Sequence, residues 1–486
     1  MPHQGTNLVS TGARRWGAVW ALLLAAFVAM LDVTMVNLAL PNIAQDFAIS
    51  GSQAQWVLLA YLIPLAAFLL PMGRFGDALG RRRLFCVGVA AFAMGACLAA
   101  CSPTSAILVA ARTLQGIGAA CLMPQILALI NVTLPPDQRR RAFGYFGMIS
   151  AMGAIAGPVF GGVFLELDLF GLGWRFVFLP SIPACAVAFL VALLCLDKDE
   201  FVRKHTMDVW QGALSICAIA GVVFAVAQGR VLGWPIWLLA MILISLGLIS
   251  YMLVCQARGR SPRLMPLIPR ELLRSKVFCF SAAMVLLTFS GIAGVPFLLA
   301  ITLQQGPQFS PGSVASTLVV HPLFATLGAY LAGRFTPKTP WKLPLLGSLA
   351  VCTGVALLVI LFQAFQDEIR TLHLVFPLSL VGVGIGVSNV ALMSTAMSEV
   401  AGADAGAASG VLQTSQQIGI SLSIAIVGGL YFGHAQSPTM LSAAIALLFP
   451  SLVFAGASLL FGAAQRWYSL KTNGGVAGKM AAEENR

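Results

Sequence analysis

GAVWALLLAAFVAMLDVTMVNL, residues 17–38, is an apolar run with a single acid, Asp32, inside it. About 20 such residues make a helix long enough to cross the ~30 Å hydrocarbon core of a bilayer. Arg14 and Arg15 precede the run, as they would in a signal peptide. The run is too long for a cleaved apolar region of about 7–15 residues, so it reads as an uncleaved first membrane helix.

Thirteen further stretches of similar length follow, from 53–72 to 440–464. The composition agrees with that pattern: of 486 residues, 59% are hydrophobic and 9% are charged. Soluble domains carry about 25% charged residues. An ordinary soluble enzyme, a disordered chain and a secreted disulfide scaffold are therefore excluded. The expected fold class is an all-α polytopic membrane protein with fourteen transmembrane helices.

The net charge of +12 reads as orientation once the basic residues are placed. With the N-terminus inside, 25 of the 29 basic residues fall on inner segments, and Arg175, Arg230 and Arg370 fall outside. Arg112 alone lies within a span. This positive-inside bias predicts cytoplasmic termini and argues against nucleic acid as a partner. The nine tryptophans sit at or near span ends, as in an interfacial aromatic belt. The ten cysteines lie in apolar spans and read as packing thiols rather than a metal site or disulfide framework.

Short echoes divide the chain. Gly73-Arg74-Phe75 recurs as Gly333-Arg334-Phe335, at an offset of 260, and Gly116-Ile117-Gly118 as Gly384-Ile385-Gly386, at 268. Gly144 and Gly153 align with Gly410 and Gly419, at 266. The offset equates spans 2, 4 and 5 with spans 10, 12 and 13. Two six-helix halves follow, with spans 7 and 8 inserted between them, an arrangement of transporters with a site between the halves. The expected divisions are a first bundle over 1–200, the inserted pair over 201–256 and a cytoplasmic linker over 257–275. A second bundle over 276–466 and a cytoplasmic tail over 467–486 complete the chain.

Few ionisable groups lie within the spans. Asp32 is the only acid well inside one, and an intramembrane carboxylate is a candidate proton site or a counter-charge for a cationic substrate. A structural ion pair is the plainer alternative. Arg112 either pairs with Asp32 or acts alone on an anionic group, against a plainer role as glue to backbone carbonyls. GRFGDALGRRR, residues 73–83, follows span 2. Gly73 and Gly80 permit a tight turn there, while Asp77, Arg81 and Arg82 offer contacts that form in one conformation and break in another. In GAIAGPVFGG, residues 153–162, Gly153, Gly157 and Gly161 recur every four residues and give a flat helix face, Pro158 can bend the helix, and Gly162 closes the motif. Asn37, Gln115, His321, Asn389, Gln413, Gln416 and Gln417 are candidates for a wet substrate cavity, with interhelical hydrogen bonding as the alternative.

Nucleotide-binding, zinc-protease and nucleophile-elbow signatures are missing from the sequence. No enzyme activity, cofactor or metal is expected, and energy must come from an ion or substrate gradient.

Four stretches resemble the major facilitator superfamily, and in particular its fourteen-helix drug:proton antiporter family. They are LDVTMVNLALP (31–41), GRFGDALGRRR (73–83), LVAARTLQGIGAA (108–120) and GAIAGPVFGG (153–162). The resemblance implies two six-helix bundles plus two inserted helices, proton coupling through Arg112, gating at residues 73–83, and export rather than uptake through residues 153–162. Ala78 stands where the gating motif usually has a basic residue. Asp32 aligns near Ile292 in the second half, where no acid matches it.

The expected function is export of a hydrophobic or amphipathic small molecule in exchange for protons, in the inner (plasma) membrane. An uptake symporter and a non-transporting membrane partner are the alternatives. The substrate, protons and the bilayer are the expected partners; a periplasmic adaptor and an outer-membrane partner stay open.

Overall fold

The computed structural model describes residues 12–433, apart from 168–170, 198–207, 259–265, 293, 306–308, 310, 335–341, 366–367 and 399, together with residues 452, 453, 456 and 460. The described residues contain helices and no strand. The first six helices are α1 (Gly12–Asp46), α2 (Gly51–Leu79), α3 (Arg81–Ala100), α4 (Ser105–Thr133), α5 (Pro136–Leu167) and α6 (Ser181–Cys195). A short 3₁₀ helix, Gly173–Phe178, precedes α6. Next come α7 (Val209–Leu232), α8 (Ile236–Arg258) and the short α9 (Arg270–Arg274). The second half holds α10 (Lys276–Ile292), α11 (Gly294–Gln305), α12 (Pro311–Arg334), α13 (Lys342–Phe365), α14 (Thr371–Ser398) and α15 (Ala405–Gly433).

Twelve stretches among the described residues are long and apolar enough to cross a membrane. Fourteen were expected. The thirteenth expected stretch, 408–431, lies in α15, and most of the fourteenth, 440–464, is outside the described residues. The ninth, 277–303, comprises two helices, α10 and α11.

Local chemistry explains the boundaries. Ser50 caps α2: its hydroxyl accepts from the Gln53 N–H at 3.3 Å, and its own N–H donates to the Gln53 side chain at 2.9 Å. Thr104 caps α4 through the Ile107 N–H. Gly80 separates α2 from α3 with φ at 108°, a conformation that a side chain would strain. At the other end of the bundle, Asp46 accepts from the Trp174 indole at 3.0 Å and the Arg175 guanidinium at 2.8 Å. That contact holds the 3₁₀ turn against the end of α1.

Helices α1–α6 pack mainly on one another, through α1–α5, α1–α6, α2–α4, α3–α4 and α3–α6. Helices α10–α15 do the same through α12–α14, α13–α14, α10–α15 and α10–α14. The bundles meet along α2–α15 and α5–α12, with α4–α15 and α5–α14 beside them. Helix α7 packs on both α2 and α15, and α8 packs on α7. Large apolar side chains of α8 are exposed, Ile236 at 84% and Leu243 at 70%, as suits a lipid-facing helix.

Glycines permit the closest approaches between bundles. A Cβ on Gly73 would overlap the Gly406 carbonyl and come 3.1 Å from the Gly410 Cα. A Cβ on Gly144 would come 2.8 Å from the Gly333 Cα. Both contacts lie toward the end of the molecule that carries Arg81–Arg83 and Arg139–Arg141, here called the basic end.

Candidate functional site

Two constellations stand out, one inside the first bundle and one across the basic end. In the first, α1 supplies Asp32, and α4 supplies Arg112 and Gln115. All three are fully buried. Arg112 and Gln115 are three residues apart, so they share a face of α4. Arg112 Nη1 donates to Asp32 Oδ2 and, at 2.8 Å, to Gln115 Oε1. Gln115 Nε2 donates to Asp32 Oδ1 at 3.0 Å. Arg112 Nε donates to the Val57 carbonyl of α2 at 3.3 Å. Both carboxylate oxygens are thus engaged.

The glycine face of α5 sets the position of this acid. A Cβ on Gly153 would come 2.8 Å from Met30 Cβ and 2.9 Å from the Phe27 carbonyl; one on Gly157 would overlap Thr34. These contacts fall just before and just after Asp32 on α1. Gly161 and Gly162 are looser, their nearest neighbours lying at 3.5 and 3.8 Å. Pro158 falls within α5, with its side chain outside the described residues.

The second constellation centres on Asp77. The N–H groups of Gly406 and Ala407 donate to its two oxygens at 2.9 and 2.8 Å. These are unpaired donors at the start of α15, so the carboxylate of α2 caps a helix of the other bundle. Arg81 Nε donates to Asp77 at 2.9 Å, and Arg81 Nη2 to the Gly402 carbonyl. Arg74, almost wholly buried, forms an ion pair with Asp404 at 2.9 Å and lies 3.5 Å from Asp77. Its Nε also donates to the Pro266 carbonyl, in the segment between α8 and α9, at 2.8 Å. Ala78 is buried here and adds no charge. Arg82 is turned to its own bundle, donating to the Leu193 carbonyl at 2.6 Å.

Further bonds between the bundles fall in the same half of the molecule. Arg140 donates to the Ala332 carbonyl at 3.2 Å, Ser409 to the Pro124 carbonyl at 2.6 Å and Gln413 to the Met123 carbonyl at 2.8 Å. The basic end is closed. Toward the opposite end, Asn37, Leu38, Val159 and Phe160 are exposed.

The polar candidates therefore separate. Gln115 belongs to the buried Asp32 cluster, and Gln413 ties the bundles together. Asn37 is exposed; His321, Asn389, Gln416 and Gln417 are half-buried. His321 Nε2 and Asn389 Oδ1 find no hydrogen-bond partner among the described residues. Asp404 and Pro266 were not singled out from sequence. An acid just before a Gly/Ala-rich helix was the available signal for Asp404; the Pro266 carbonyl had none. Among the described residues, no group of three His, Cys, Asp or Glu side chains could hold a metal, and the cysteines form no disulfide.

Comparison with known proteins agrees with this architecture. The chain is 34% identical over 426 residues to a probable actinorhodin transporter of Streptomyces coelicolor, covering 87% of this chain and 73% of that protein. It is 32% identical over 451 residues to the puromycin resistance protein pur8 of Streptomyces alboniger, covering 90% and 88%. The crystal structure of the human organic anion transporter MFSD10 superposes with a TM-score of 0.65 at 15% identity, covering 90% of this chain and 99% of that one. That likeness is one of fold. The sequence profile of the Major Facilitator Superfamily matches residues 22–424. The chain belongs to the Major Facilitator Superfamily and is an integral membrane transporter rather than an enzyme.

Proposed function

We propose that the protein exports a hydrophobic or amphipathic small molecule, a drug or natural product, in exchange for protons. The observation that carries this reading is the buried Asp32–Arg112–Gln115 cluster. A carboxylate bound this way in low dielectric is stable while charged and paired; a proton arriving there must displace the pairing. Loss of the pair loosens α1 from α4, which gives protonation a structural consequence inside the first bundle. The names of the similar proteins, a probable actinorhodin transporter and a puromycin resistance protein, support export of natural products.

In this reading the basic end is cytoplasmic, both termini lie inside, and the closed end makes this the outward-facing state of an alternating-access cycle. The chain has fourteen transmembrane helices divided as 1–200, 201–256 and 276–466. The half-buried His321, Asn389, Gln416 and Gln417, with Asn37, line the route of the substrate. Opening inward requires release of Asp77 from α15 and of Arg74 from Asp404.

The test uses everted vesicles energised to an acidic lumen. Addition of puromycin, or of another member of a panel of hydrophobic antibiotics, should release protons from the lumen. Asp32→Asn should abolish that release while leaving the protein folded. Undiminished release in the variant overturns the reading.

A further inference from the structure

Tyr61 of α2 is fully buried, and its ring lies under the Arg112 guanidinium, 4.5 Å from the Arg112 Cζ. It is held there on two sides. The Phe92 ring of α3 meets it edge-on, with centroids 6.4 Å apart and planes at 87°. Gly116, one turn after Arg112 on α4, lies so close that a Cβ there would overlap the Tyr61 carbonyl. The arginine and the ring are thus brought together by one face of α4.

Asp32 is the one anion against Arg112 among the described residues. Its other neighbours are the Gln115 amide, the Val57 carbonyl and the rings of Tyr61 and Phe178, the last 5.9 Å away. Beyond Asp32, Arg112 and the Tyr61 phenol itself, the titratable groups in reach among the described residues are the thiols of Cys185 on α6 and Cys97 on α3. When Asp32 takes up a proton, nothing anionic remains beside a cation that cannot lose its own charge. The Gln115 amide oxygen, the Val57 carbonyl and the ring faces remain, and of these the Tyr61 ring face gains most, because a cation is drawn to it more strongly once no carboxylate shares its charge and water is excluded.

We infer that Tyr61 is a positioning residue for proton coupling: its ring holds the Arg112 cation while Asp32 is neutral, and so favours the protonated state. This rests on the proton-coupling reading above. The hydroxyl is not needed for it, since Tyr61 Oη finds no hydrogen-bond partner among the described residues.

The experiment needs no substrate. Infrared spectra of the purified full-length protein, taken across a pH series, follow the carbonyl stretch of protonated carboxyl groups. The Asp32 band is the one lost in Asp32→Asn. Tyr61→Phe should leave the midpoint of that band within a few tenths of a pH unit. Tyr61→Leu should lower it by about one unit, tenfold in proton affinity, because the neutral-Asp32 state loses its support for the cation. Replacing Tyr61 by a ring-fluorinated phenylalanine keeps the volume and weakens the negative ring face. It should also lower the midpoint, and it serves if the leucine variant does not fold. An unchanged midpoint in the fluorinated variant overturns the inference about Tyr61. Absence of any Asp32 band would instead overturn the proton-coupling reading beneath it.

Discussion

Gly144 of α5 and Gly333 of α12 meet backbone to backbone across the two bundles, where a Cβ on Gly144 would sit 2.8 Å from the Gly333 Cα. The counterpart of Gly144 in the internal repeat is Gly410, and that of Gly333 is Gly73. Gly73 and Gly410 also meet, on α2 and α15. The two contacts thus pair the same echoed positions with the bundles exchanged. The two seams differ in charge: α2–α15 carries Asp77, Arg74 and Asp404, whereas α5–α12 is joined by bonds from Arg140 to the Ala332 carbonyl and from Thr326 to the Met148 carbonyl.

Gly144→Leu should wedge the α5–α12 seam and prevent closure of the basic end. Transport should fall at least about tenfold, since about 1.4 kcal/mol against the closed state is enough for that. A cysteine introduced beside the seam should become more reactive to a water-soluble maleimide in the variant. Wild-type labelling with normal transport would count against it.

Asp77→Asn should impair the closed state more than Asp404→Asn. Asp77 accepts from two helix-end amides and from Arg81, while Asp404 shares Arg74 with Asp77. Charge-assisted hydrogen bonds contribute about 1.5–3 kcal/mol each. Export rates at matched expression should rank wild type above Asp404→Asn above Asp77→Asn.

Arg112→Gln alone should lower thermal stability, because it leaves the buried Asp32 charge without a cation, at a cost of about 3–5 kcal/mol. Combined with Asp32→Asn, stability should largely return while proton-coupled transport stays absent. Melting curves of the purified variants, read beside vesicle transport, separate the two effects.

Gly157→Ala and Gly161→Ala lie in one motif and should differ sharply. The first sets a methyl group into Thr34 beside Asp32; the second meets nothing nearer than 3.5 Å. Gly157→Ala should reduce transport and melting temperature, and Gly161→Ala should leave both near wild type.

Much of this was legible in the sequence because membrane solvation makes polarity costly. Asp32 and Arg112 stood out as ionisable groups among apolar neighbours. Their pairing was left open, since a separation of 80 positions becomes a contact only through packing of α1 on α4. Gln115 read as a cavity residue because its spacing fixes a face of α4, whereas what that face meets depends on α1. Asp404 and Pro266 stayed hidden for a related reason. Each acts through Arg74, from a segment far along the chain, and a backbone carbonyl leaves no trace in residue identity.

The placement of α7 has a kinematic consequence. It touches α2 of one bundle and α15 of the other, with Trp56 of α2 against its Phe224 at 6.1 Å. When two rigid bodies rotate, a rod that touches both can stay fixed to only one of them, unless it lies along the axis of rotation. In the alternating-access cycle proposed above, helix α7 would therefore be either the bearing about which the bundles turn or a runner on which one of them slides.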